Sequence, residues 1–202
     1  SDGYGPFIQW YLWCRASGHG DLEAARKSAQ GYAAYPQADV GYLICYYAGE
    51  GDTADEIGAA KNAAVSQPDP FWELLLATIY DGAQRKADRD QAIRAAISLA
   101  GPTDPEENEL ARMLQDAVTN HQEQLDLNAF SRVFANLTPG RRAPGEYIAA
   151  EWLIHHGQGE KGIEFLKRVA VDQNDGSISG WLARFELHDK GIDSFGLAGA
   201  GK

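Results

Sequence analysis

The sequence predicts an all-α protein, an α-solenoid of stacked antiparallel helical hairpins. Two observations carry that expectation. Residues 11–21 (YLWCRASGHGD) and 42–52 (YLICYYAGEGD) repeat at an interval of 31 residues, with Tyr11/Tyr42, Leu12/Leu43, Cys14/Cys45, Gly18/Gly49, Gly20/Gly51 and Asp21/Asp52 in register. Self-similarity at such a period marks helical hairpins that cannot bury their apolar faces alone and so stack on their neighbours. Elsewhere, apolar residues recur at helical spacing, while long alternating runs rich in Val, Ile and Thr are absent.

The elements follow in order. A first hairpin is expected from helices over 6–17 and 22–34: Pro6 suits a first turn, Gly18 and Gly20 break the helix, and Asp21 caps the next one. Helices over 39–48 and 53–66 form the second, divided by Gly49, Gly51 and Asp52 and stopped near Pro68. The third pairs 71–80 with 89–100 across a loop at 81–88, and Gly101-Pro102 closes it. Pro105, Glu106 and Glu107 open a helix running to about residue 124, because Pro fits the first turn and acids favour the positive end of the dipole. A shorter helix spans 126–136. The stretch TPGRRAPG, 138–145, reads as a linker. Beyond it, EYIAAEWLIHH restarts the pattern, Gly157-Gln158-Gly159-Glu160 repeats the divider, and helices over 161–172 and 178–189 follow. The organisation expected is therefore repeats over 1–137, the linker, a final repeat with a capping helix over 146–190, and a flexible Gly-rich tail over 191–202.

Composition narrows the function classes. With 44% hydrophobic and 10% aromatic residues, the 202-residue chain is expected to fold. Its net charge is -11, and no basic cluster exceeds two adjacent residues. Nucleic acid and anionic membrane are poor partners for that field, and a basic peptide or protein face suits it. No apolar run approaches the roughly 20 residues that span a bilayer. No signal peptide is read, and the chain opens on Ser1. A cytoplasmic setting is slightly favoured, with a periplasmic or secreted one fitting if a leader has been removed. Cys14 and Cys45 occupy equivalent repeat positions. Adjacent helices pack about 9–10 Å apart, too far for a disulfide, so reduced and buried thiols are expected.

The hairpins resemble the tetratricopeptide and Sel1-like repeat superfamily. Leu43, Tyr47, Gly51 and Asp52 match the tetratricopeptide frame, as do Leu12, Gly20, Asp21 and Ala25. The run Leu76-Ala77-Thr78-Ile79-Tyr80 with Gly82, Asp88 and Ala92 looks like a degenerate Sel1-like copy. This resemblance implies a right-handed solenoid that works as a non-enzymatic adaptor, holding a protein or peptide on its concave face without cofactor or metal.

Several groups of residues could carry function. Aromatic residues crowd the expected first helices, including Phe7, Trp10, Trp13, Tyr42, Phe71, Trp72, Tyr80, Tyr147 and Trp152. They read either as core or as an aromatic-lined groove, with Phe7, Trp10 and Phe71 as the expected partner-binding anchors. Asp81 joins them because it begins the longest inter-helix loop. An all-α enzyme or small-molecule binder is the alternative, with candidate carboxylates at Glu73, Asp81, Glu151 and Glu160. A closed cavity holding facing acids would favour it; an open groove would favour the adaptor. Glu151 and His155 share a helical face, but no third metal ligand is signalled, so His155 and His156 read as solvated helix-end histidines. Arg85, Lys86 and Arg89 read as a solvated charge run. Phosphate-loop, zinc-protease and serine-hydrolase motifs are absent.

Overall fold

A computed structural model of the chain describes residues 53–99, 105–120, 122–172 and 178–192. Among these residues the chain forms eight helices and no strand. They are α1 (Thr53–Ser66), α2 (Pro70–Gly82), α3 (Lys86–Leu99), α4 (Pro105–Asn120), α5 (Leu127–Phe134), α6 (Pro139–His155), α7 (Gly159–Asp172) and α8 (Ile178–Asp189). The chain is all-α in this span, and no helix there is long and apolar enough to cross a membrane. Phe7, Trp10, Cys14, Cys45, Gly20 and Gly51 lie outside the described residues.

Two helices organise the rest. The α2 segment is apolar nearly all round, and it buries Trp72, Leu74, Leu75, Leu76, Ala77 and Tyr80. It starts sharply because the Asp69 side chain accepts a hydrogen bond from the Phe71 amide (2.8 Å) and Pro70 fixes the first turn. The α6 segment likewise buries Tyr147, Ile148, Ala149, Ala150, Trp152 and Leu153. These two helices pack together, and each makes its most extensive contact with the helix that follows it. Thinner helices cover them. Ala59, Ala60, Ala63 and Ala64 give α1 a flat face against α2, and Ala92, Ile93 and Ala96 do the same for α3. At Gly162 of α7 a Cβ would lie 2.6 Å from Ile154 Cγ1 and 2.7 Å from the Ala150 carbonyl, so α6 and α7 touch almost backbone to backbone there.

Both hairpins end their first helix in the same turn. After α2, the Arg85 amide donates to Tyr80 O and the Gln84 amide to Asp81 O, with Gln84 left-handed at φ 59°. After α6, the Gln158 amide donates to Leu153 O and the Gly157 amide to Ile154 O, with Gly157 at φ 79°. This is a Schellman closure of the helix C-terminus. The turn glycine of the second hairpin is therefore Gly157, while Gly159 already belongs to α7 and would meet no atom with an added Cβ.

Three expectations are corrected. Residues 138–145 are not a linker: from Pro139 onward they are the first turns of α6, with Pro144 inside the helix. Pro139 suits a helix start, and at Gly145 the missing side chain makes room for the Phe134 ring. Helices on both sides of this stretch share one apolar cluster, so no domain boundary falls there. Nor is 81–88 a long loop, because α2 continues through Asp81 to Gly82 and only residues 83–85 connect to α3. The helix expected to reach about residue 124 ends at Asn120.

Candidate functional site

Asp81 is where the buried chemistry begins. It lies on the inner side of the last turn of α2, only 3% exposed. Arg89 comes from the first turn of α3, also buried, and its Nη1 donates to Asp81 Oδ1 at 2.7 Å and to Glu123 Oε1 at 2.9 Å. The same guanidinium donates through Nε to Asp90 Oδ1 (2.9 Å) and lies over the Trp152 ring. Glu123 is itself left-handed at φ 67°, and the Trp152 indole N–H donates to its carbonyl at 2.9 Å. One cation thus ties α2, α3, the α4–α5 connection and α6 together.

Two histidines at the end of α6 complete the cluster. His155 Nδ1 lies 3.2 Å from Asp81 Oδ2, and His156 Nε2 lies 2.9 Å from the same oxygen. Burial alone would raise the Asp81 pKa, but the hydrogen bond from His155, the close approach of the His156 ring and the hydrogen bond from Arg89 outweigh it and hold the carboxyl well below the usual range. An ionised Asp81 can only accept, so His155 Nδ1 is the donor in this contact and Nε2 is the ring nitrogen left toward Glu151. The Arg89 pKa is raised above its ordinary value: burial opposes the shift, but Asp81, Glu123 and Asp90 override it. The Glu123 carboxyl is lowered, chiefly by its hydrogen bond from Arg89.

His155 also forms the wall of a second site. A cavity of about 220 Å³ lies beside it, lined by Glu56 of α1, Thr78 and Gly82 of α2, Tyr147, Glu151 and His155 of α6, and Glu186 of α8, among others. His155 Nε2 is 3.8 Å from Glu151 Oε2, too long for a hydrogen bond. The other oxygen, Glu151 Oε1, is buried with no hydrogen-bond partner, and the residue is only 8% exposed. Burial, with the charges of Glu186 and Glu56 added and Lys190 opposing, pushes the Glu151 pKa up to about 8. Glu56, half-buried, is pushed up to about 7 by burial and by Glu186. Glu186 is paired with Lys190 at 2.7 Å. Three carboxylates from three helices therefore converge on one cavity, and one of them is incompletely satisfied.

The expected site residues fall out as follows. Phe71 is half-buried, edge-on to Trp72 and packed against the core. Trp72, Tyr80, Tyr147 and Trp152 are core residues, so in the described span the aromatic positions build the interior. Asp81 is a buried ion-pair partner rather than an exposed loop residue. His155 and His156 are not solvated helix-end residues, because Asp81 and Glu123 face them across the turn. Arg89 is not part of a solvated run. Of the four carboxylates considered, Glu151 lines the acidic cavity; Glu73 lines another, among α1, α2 and α3, with Lys61 and Asp88. No local pattern signals Glu56 and Glu186, and only Glu151's place between Ala150 and Trp152 in an apolar helix marks it. Among the described residues no cluster of His, Cys, Asp and Glu has a metal-holding arrangement. Comparison with protein-family models, curated proteins and solved structures finds no match.

Proposed function

We propose that the protein is a non-enzymatic adaptor of right-handed solenoid design that binds a protein or peptide by taking one of its basic side chains into the cavity of Glu56, Glu151 and Glu186. The observation that carries this reading is Glu151, which lines a cavity shared with two other glutamates and whose Oε1 is buried without a hydrogen-bond partner. Such an oxygen is costly to leave unsatisfied, and a cation is the ligand that satisfies it best. The net charge of -11 supports the same choice, since it draws basic partners over distance. The matching turns after α2 and α6 support stacked hairpins. Titrating the protein with blocked peptides bearing lysine or arginine, against alanine and glutamate controls, tests the reading. Basic peptides should bind, more weakly at high salt, and Glu56→Gln with Glu151→Gln should abolish binding. Equal binding of the glutamate control would sink it.

A second reading, an all-α enzyme or small-molecule binder, is favoured by one observation. Asp81 fixes His155 through Nδ1 while Nε2 points at a carboxyl of raised pKa, a pairing suited to proton transfer. Binding of a neutral small molecule in preference to basic peptides would select it.

A further inference from the structure

We infer that the cavity selects a primary ammonium, such as a lysine side chain, over a guanidinium or a quaternary ammonium, and that the ammonium replaces a proton held by Glu151. This inference rests on the reading of the cavity as a receptor for a basic side chain. The selectivity argument is one of shape and donor number. An ammonium carries three N–H donors on one small atom, and Glu56, Glu151 and Glu186 approach from three different helices. A guanidinium presents a planar fork that suits one carboxylate gripped bidentately. A quaternary ammonium has no donors and needs an aromatic cage, whereas Tyr147 is the one Phe, Tyr or Trp among the described lining residues.

The proton follows from the surroundings of Glu151. Around it stand Glu56 from α1, Glu186 and Lys190 from α8, and His155, which Asp81 of α2 anchors. On other helices packed against α6, Arg168 of α7 pairs with Glu146 and Glu106 of α4 with Arg141. Lys190 is a cation beside the cluster, and it pairs with Glu186. In the empty cavity the Glu151 carboxyl keeps its proton. On entry of R–NH₃⁺ the O–H bond of Glu151 breaks, the proton passes to solvent, and the carboxylate accepts from the ammonium. Charge is conserved by release of the Glu151 proton, to which Glu56, with its own pKa raised to about 7, adds a fraction near neutral pH.

Calorimetric titration of the full chain near pH 7, in buffers of different ionisation enthalpy, counts that proton directly. The probes are acetylated, amidated tripeptides with lysine, arginine, trimethyl-lysine or norleucine at the centre. The lysine peptide should bind with proton release, and the other three roughly 10- to 100-fold more weakly, the worth of hydrogen bonds to a charged group. Glu151→Gln, which keeps the shape and removes the buried acid, should stay folded and release fewer protons, only the fraction that Glu56 holds. If the arginine or trimethyl-lysine peptide binds as well as lysine, or lysine binds without releasing a proton, the inference falls while the basic-side-chain reading stands. If no peptide binds, both fall.

Discussion

Arg89 and Asp81 form an ion pair at 2.7 Å with side chains only 2% and 4% exposed, joining the end of α2 to the start of α3. Taking two charges out of water is unfavourable, and only the added partners of each make the arrangement stable: Glu123 and Asp90 on the arginine, His155 and His156 on the aspartate. The pair also holds the candidate site, because Asp81 is what orients His155 toward the cavity.

Removing one member should therefore be far worse than removing both. Arg89→Met leaves Asp81 buried without its guanidinium, while half-buried Glu123 keeps Lys86, and it should lower stability by about 3–5 kcal/mol. Adding Asp81→Leu to that variant should recover part of the loss. Urea denaturation of the two single variants and the double variant closes the cycle. Additive losses would mean that the pair carries no coupling.

The acid cluster makes a prediction of opposite sign to ordinary acid denaturation. Glu56 and Glu151 have folded pKa values raised from 4.5 to about 7 and about 8. Below 4.5 both states are protonated and the contribution is fully present. As pH rises toward 8 the unfolded chain releases these protons first, so stability is lost across that window. Asp81 and Glu123 act the other way: their contribution is present above their ordinary values and lost as pH falls through the lowered ones. The ligand-free protein should thus have a Tm that declines from about pH 5 to about pH 8, and Glu151→Gln should flatten the decline. A Tm that rises over this range in the parent protein would refute the burial of Glu151.

The two equivalent turns allow a paired test. Gln84 holds φ 59° with a side chain, where Gly157 holds φ 79° without one. Replacing Gln84 with Gly should raise stability by about 0.5–1 kcal/mol, the usual penalty of a left-handed side-chain residue. Replacing Gly157 with Ala should lower it by about 1 kcal/mol, and conformation alone is responsible, since no atom lies within 4 Å of the new Cβ. Chemical denaturation of both variants should move the midpoints in opposite directions.

These turns also explain how much the sequence could tell. The helix over 53–66 and the one over 178–189 are legible to the residue, because glycines and prolines flank apolar repeats. Gly82 misleads, because a helix can end in a left-handed Gln two residues later, and composition does not signal that. Pro139, Gly140, Pro144 and Gly145 read as a linker, yet the first prolyl residue starts α6 and Gly145 is a packing contact with Phe134. The site is less legible still. His155 meets Asp81 across 74 residues, and Glu56, Glu151 and Glu186 come from three helices, so only tertiary packing brings them together. Local patterns record which face of a helix is apolar; they do not record which buried acid faces which histidine.

The contact between Gly82 and His155 gives a direct probe of the link between the ion-pair cluster and the cavity. A Cβ at Gly82 would stand 3.0 Å from both Cε1 and Nε2 of the imidazole. That is tighter than ordinary contact, so in Gly82→Ala the ring must give by a few tenths of an ångström. Its bond from Nδ1 to Asp81 is already 3.2 Å long and has little slack before it ceases to be a hydrogen bond. Stability should change little, since Ala favours the helix by about 0.5–1 kcal/mol and offsets the strain. The imidazole should respond instead. In the parent protein a long-range ¹H–¹⁵N correlation should place the His155 proton on Nδ1, held there by an acceptor that cannot donate. In Gly82→Ala the same experiment should show a mixture of the two tautomers, and uptake of a lysine peptide should weaken with it. Identical His155 spectra in the two proteins would mean that the ring does not rest on Gly82, and that Asp81 orients it without help from the end of α2.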